Sequence, residues 1–180
     1  MTTEKTARSE ALVKIFKTTK WFADTRILGV EVGVRHGENV RYLLKAMPNL
    51  CIVGIDFYEP YTGVNEDLTR EKQAVCRVNA QKVQQDFPTR FALRIDTSID
   101  AAELTMNYSY EFVFIDAMHT YDAVKNDLLS WYKKVLPGGI LCGHDYDMTP
   151  VKQAVNRFFK FTGQEIHHEP FPADVWWVEM

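Results

Sequence analysis

Five short apolar stretches recur along the 180-residue chain: "RILGVEVG", "CIVGIDF", "RFALRID", "YEFVFID" and "GILCGHD". Each is too short for a buried helix and rich in β-branched or aromatic residues, so each reads as a strand. The segments between them carry apolar side chains at helical spacing. In "GENVRYLLKAMPN" these are Val40, Leu43, Leu44 and Met47, and from Tyr121 to Leu136 they are Val124, Leu128, Trp131 and Val135. Strands that alternate with helices imply an α/β fold: a mostly parallel, doubly wound sheet with helices on both faces and right-handed crossovers. The remaining segments fit this pattern. Residues 9 to 22 form an amphipathic helix through Leu12, Ile15, Phe16 and Phe22, residues 70 to 86 look helical, and Ser98 is placed to cap a short helix in "SIDAAELTM". Pro150 to Phe161 is a further helix, and "QEIHHEP" and "ADVWWVEM" read as a closing pair of strands. The length suits a single domain over residues 1–180, with a helical extension at 1–24 before a Rossmann-like core at 25–180.

In such a sheet, ligands bind beyond the carboxyl ends of the strands, so the residues just past each strand are the informative ones. After the first strand comes "EVGVRHG", where Gly33 and Gly37 allow a tight turn that brings backbone N–H groups to a ligand. Asp56 ends the second strand, at a spacing suited to binding the two hydroxyls of a ribose. Asp96, Thr97 and Ser98 follow the third strand, Asp116 and His119 the fourth, and His144 and Asp145 the fifth. Arg35 stands where dinucleotide-binding turns have their second glycine. A nucleoside ligand without pyrophosphate is therefore favoured, and Glu31 could receive a cation. Each feature also has a plainer explanation: glycines that only serve a turn, a solvated Asp at a strand end, or His119 and Thr120 starting a helix.

Charge and composition narrow the classes further. A net charge of −3 gives no overall attraction to nucleic acid, apart from a local basic patch at Lys152, Arg157 and Lys160, so a small-molecule partner is expected. Cys51, Cys76 and Cys142 are an odd number without metal-binding spacing and suggest reduced thiols. "MTTEKTARSEALVKIFK" has no apolar signal core, and no run approaches the ~20 residues that span a bilayer. The cytoplasm is the expected compartment. "YDAVK", Tyr121 to Lys125, imitates the Tyr-x-x-x-Lys pair of nicotinamide-dependent dehydrogenases, but it follows the fourth strand rather than the fifth.

From about Ile27 onward the chain resembles the class I S-adenosylmethionine-dependent methyltransferases, and more closely the small-molecule O-methyltransferase-like branch called the methyltransferase-24 group. "GVEVGVRHGENVRYLL", "GIDFY" and "FVFIDAMHTYDAVKNDLLSWYKKVLPGGILCGHDY" carry the resemblance, and "VKQAVNRFF" extends it. It implies a sheet of order 3-2-1-4-5-7-6 with the seventh strand antiparallel. It also implies that the Glu31–Gly37 turn cradles the methionine part of S-adenosylmethionine, that Asp56 binds its ribose, and that Phe57, Asp96, Thr97 and Ser98 border its adenine. Asp116 would take part in both the cofactor site and the reacting centre. Some relatives hold a magnesium ion with acids at the places of Asp116 and Asp145. Here His144 stands where another acid would be, so Asp116, His144 and Asp145 form a candidate site for a divalent ion, and a softer ion than magnesium is admitted. Asp116, His119, His144 and Asp145 are the candidate catalytic residues, with either histidine able to serve as base. The alternatives are a non-catalytic cofactor- or partner-binding relative, a methyltransferase acting on RNA or protein, and a nicotinamide-dependent oxidoreductase. A homo-oligomer through the first helix or the C-terminal strands remains open.

Overall fold

In a computed structural model of the protein, the described residues are 3–19, 26–62 and 67–180. Seven strands form one sheet: β1 (Ile27–Val32), β2 (Leu50–Asp56), β3 (Phe91–Ile95), β4 (Tyr110–Ile115), β5 (Val135–Gly143), β6 (His167–Glu169) and β7 (Val175–Glu179). Their order is 3-2-1-4-5-7-6, and β7 runs antiparallel to both β5 and β6, as the sequence implies. A two-residue pair, Tyr61–Thr62 with Asp67–Leu68, stands apart from this sheet.

Among the described residues six α-helices cover the sheet: α1 (Thr3–Lys17), α2 (Glu38–Ala46), α3 (Arg70–Asp86), α4 (Ser98–Glu103), α5 (Tyr121–Trp131) and α6 (Thr149–Thr162). Because successive strand residues face opposite ways, β4 sends Phe112 and Phe114 to one core and Val113 and Ile115 to the other. The first core is closed by α1, α2 and α3 through Leu12, Phe16, Leu43, Leu44 and Val83. The second is closed by α4, α5 and α6 through Ala101, Leu128, Trp131 and Phe159. Phe16 stacks on Phe112 with ring centroids 4.2 Å apart, which fastens α1 to the sheet. The apolar stripe that argued for this helix is therefore buried, although the helix lies over residues 3–17 rather than 9–22. Phe22 lies outside the described residues.

Two local expectations are corrected. The fifth helix ends at Trp131, a short 3-10 turn follows, and Val135 and Leu136 already belong to β5. Val135 pairs with Tyr110 and Ile140 with Phe112, so Pro137, Gly138 and Gly139 sit in an irregularity of the ladder instead of ending a helix. The cap of α4 is Thr97, whose side chain accepts from the Asp100 N–H, and not Ser98. Threonines cap α3 and α5 in the same way, at Thr69 and Thr120. The three cysteines are buried and unbridged. Among the described residues no helix is long and apolar enough to cross a membrane.

Candidate active site

A cavity of about 630 Å³ opens beyond the carboxyl ends of β1 to β5. Glu31, Gly33, Asp56, Phe57, Asp96, Thr97, Ser98, Asp116, His119, His144 and Asp145 all line it. Gly37 does not. It takes a left-handed conformation (φ 74°) at the start of α2, where a Cβ would come within 2.9 Å of Val83. Its place is structural support behind the turn. At Gly33 (φ 91°) a Cβ would lie 2.1 Å from the Asp116 carbonyl oxygen, so only glycine lets the turn pass the end of β4.

The turn is locked to β2 through Asp56. Its carboxylate accepts from the N–H of Arg35 (2.8 Å) and of Tyr58 (3.1 Å), and the Tyr58 hydroxyl donates back to the Arg35 carbonyl (3.0 Å). Arg35 itself is left-handed (φ 50°), a conformation sequence reading assigned only to the glycines. Tyr58 is thus a buried brace, whereas Tyr61 lines the cavity. Burial raises the Asp56 pKa, partly offset by these N–H donors.

Glu31 is 2% exposed, and its carboxylate accepts from Asn39 Nδ2 (2.9 Å), whose Oδ1 in turn accepts from the Ser9 hydroxyl (2.8 Å). Burial pushes its pKa to about 8 against the opposing charge of Arg8 and the Asn39 hydrogen bond. At the β3 end, Asp96 is held by Arg94 (Nε at 3.1 Å, Nη2 at 2.5 Å) and by the Thr97 N–H (2.9 Å).

The fourth and fifth strands deliver a cluster of opposite character. Asp116 Oδ2 accepts from Arg8 Nη1 of α1 at 2.5 Å. Its other oxygen lies 3.6 Å from His119 Nε2 and 3.8 Å from His144 Nδ1. Asp145 Oδ2 stands 2.9 Å from both of those nitrogens. A left-handed backbone at Asp145 (φ 57°) turns this carboxylate off the end of β5. Burial would raise both acids. The Arg8 charge and the histidines hold Asp116 below the usual range, and the two adjacent histidines do the same for Asp145. Burial would likewise depress the histidines, yet the two carboxylates lift His144 and carry His119 to about 10.

Asp116, His144 and Asp145 each offer a ligand atom within 4.8 Å of the others, a geometry able to hold a divalent ion. Outside the cavity, His167 stacks on Trp177 and His168 Nε2 lies 3.1 Å from Asp174, so neither joins the site. Lys125 pairs with Asp122 at 3.2 Å, and neither Tyr121 nor Lys125 lines the cavity. Sequence reasoning missed Arg8, Asn39 and Asp127, all of which line it. The available signal was a polar residue on an otherwise apolar helix face: Arg8 lies one turn before Leu12, Asn39 one turn before Leu43, and Asp127 one turn before Trp131.

Comparison with known proteins agrees with this geometry. The sequence profile of a family described as a methyltransferase domain matches residues 30–146. A protein of Corynebacterium glutamicum is similar in structure, with TM-score 0.67 and 17% identity over 95% of this chain and 79% of that one. The O-methyltransferase NovP gives 0.69 and 18%, over 96% and 79% of the two chains. An O-methyltransferase family protein of Burkholderia thailandensis gives 0.63 and 14%, over 96% of this chain and 55% of that one. At such identities the likeness is one of fold. No curated protein sequence matches the chain significantly.

Proposed function

This chain belongs to the methyltransferase-domain family and is an S-adenosylmethionine-dependent methyltransferase, and we propose that it methylates an oxygen of a small molecule held beside His119 and Asp145. The observation that carries this reading is the convergence of Asp116, His119, His144 and Asp145 on one side of the cavity that the glycine turn lines.

The residues fit the cofactor. The turn at Gly33 has no room for a side chain, leaving its backbone open to the cavity, and Glu31 is a buried carboxyl near Arg8, whose guanidinium is paired with Asp116 instead. An amino group reaching Glu31 would supply a cation for it alone, while Asp56 would border the ribose and Phe57, Asp96, Thr97 and Ser98 the nucleobase. When bound, S-adenosylmethionine supplies an electrophilic methyl group for in-line displacement. The chain's own task is to align the acceptor, which can supply about 7–11 kcal/mol, and to take up the acceptor's proton.

His119 is held protonated by Asp116 and Asp145, so it is not a ready base at neutral pH in this arrangement. This favours the reading in which a divalent ion assists. Asp116 Oδ1, His144 Nδ1 and Asp145 Oδ2 would hold such an ion, whose contribution would be to lower the pKa of the acceptor hydroxyl. With those carboxylates engaged, His119 would lose the attraction that keeps it protonated and would regain the properties of a base. The test is S-adenosylhomocysteine release from a panel of phenols and alcohols, with and without magnesium or manganese. Release from hydroxyl acceptors that is lost in Asp145→Asn supports the reading; release from amine or thiol acceptors alone contradicts it.

A further inference from the structure

One buried carboxyl in the cavity has no part in this chemistry. Asp127 is 5% exposed on the inner face of α5, between Val124 and Trp131, and burial pushes its pKa to about 6 despite a hydrogen bond from Ser98. The hydrogen bonds around it run in one direction. Trp131 Nε1 donates to the Ser98 oxygen at 2.9 Å, and the Ser98 hydroxyl donates to Asp127 Oδ1. This chain of donors ends on Oδ1, one side of the carboxylate. Among the described residues Oδ2 makes no hydrogen bond, yet Asp127 lines the cavity. Ile99 lies next to Ser98 and Ala123 one turn before Asp127 on α5, and both line the cavity with apolar side chains. A flat ligand group with an N–H donor on its edge complements such a place. A group with an acceptor there would face an unpaired carboxylate oxygen.

We infer that Asp127 is the residue that selects adenine, by accepting a hydrogen bond from its exocyclic 6-amino group at Oδ2, with Ser98 and Trp131 as positioning residues that fix the carboxylate. The inference rests on the cofactor reading above and adds to it a base-reading residue. Among purines the 6-amino edge is a donor and the 6-oxo edge an acceptor, so the carboxylate separates them by sign and not by shape.

The test is calorimetric titration with S-adenosylhomocysteine, its 6-oxo counterpart S-inosylhomocysteine, and the analogue with hydrogen at position 6. The wild type is expected to bind the 6-amino ligand at least about ten-fold more tightly than the 6-hydrogen analogue, and the 6-oxo ligand most weakly. In Asp127→Asn the amide can turn a donor to the oxo group, so the preference for amino over oxo should fall about ten-fold or more. Equal affinity of the wild type for the 6-amino and 6-hydrogen ligands overturns the inference without any substitution. So does discrimination that survives Asp127→Asn in a protein whose thermal unfolding shows it folded. Both results leave the cofactor reading standing. Failure of the wild type to bind any of the three removes that reading and this inference together.

Discussion

The two ends of the cavity bury carboxylates in opposite ways. At the end formed by the glycine turn and the loops after β2 and β3, Glu31, Asp56 and Asp127 meet mainly neutral donors, namely the Asn39 amide, backbone N–H groups and the Ser98 hydroxyl, with the Arg8 charge acting on Glu31 as well. Burial wins there, and all three pKa values rise. At the histidine end, Asp116 and Asp145 meet Arg8, His119 and His144, and both fall. The same desolvation cost is therefore overcome by the protein's own cations at one end and only partly offset at the other. The first end is prepared for a ligand that brings a positive charge and N–H donors. The second is already neutralised and can only exchange its protons for another cation or for a reacting group.

The sharpest way to break this contrast is to remove an acid from each end. Asp145→Asn should lower turnover about 10²- to 10⁴-fold while S-adenosylhomocysteine affinity changes little, as read by steady-state rates beside calorimetry. Asp56→Ala should do the reverse and weaken the cofactor about ten- to hundred-fold, because the Arg35 and Tyr58 N–H groups lose the acceptor that holds the turn. Similar effects of the two substitutions on both quantities would mean that the ends are not separate.

A smaller effect comes from the histidine end alone. His119 is raised from 6.5 to about 10, so between those values the folded protein holds a proton that the unfolded chain has lost. Its contribution is complete below pH 6.5 and disappears as the pH rises through about 10. Glu31 is raised from 4.5 to about 8, so its own downward slope ends near pH 8. Urea unfolding between pH 8 and 10 thus isolates His119 from Glu31, and His119→Gln should flatten the decline seen in the wild type there. An unchanged slope would mean that the carboxylates do not hold this imidazole protonated.

The strand-end residues were legible in the sequence because in a parallel sheet the residue after each apolar run has few places to go. Asp56, Asp116 and Asp145 follow from that rule, and so does the sheet order once the chain's family resemblance is seen. The start of β5 was not legible, since Val135 continues the helical spacing of Val124, Leu128 and Trp131 and only pairing with Tyr110 takes it into the sheet. Arg8 was hidden for a related reason. Its partner Asp116 lies 108 residues away, and no local pattern announces that α1 reaches the cavity. The charge states were out of reach altogether, since nothing in the sequence around His119 places the Asp145 carboxylate of another strand end beside it. Asn39 and Asp127 were nearer to hand, as polar residues on helix faces otherwise committed to the core.

Calorimetric titration of the wild type with S-adenosylhomocysteine at pH 7, in two buffers of different ionisation enthalpy, tests the account most directly. Micromolar binding with release of about one proton is predicted, because the ligand's ammonium group would ionise a Glu31 that burial keeps protonated up to about pH 8. Binding without proton release would contradict the charge contrast between the two ends, and no binding at millimolar ligand would contradict the assignment of the cavity itself.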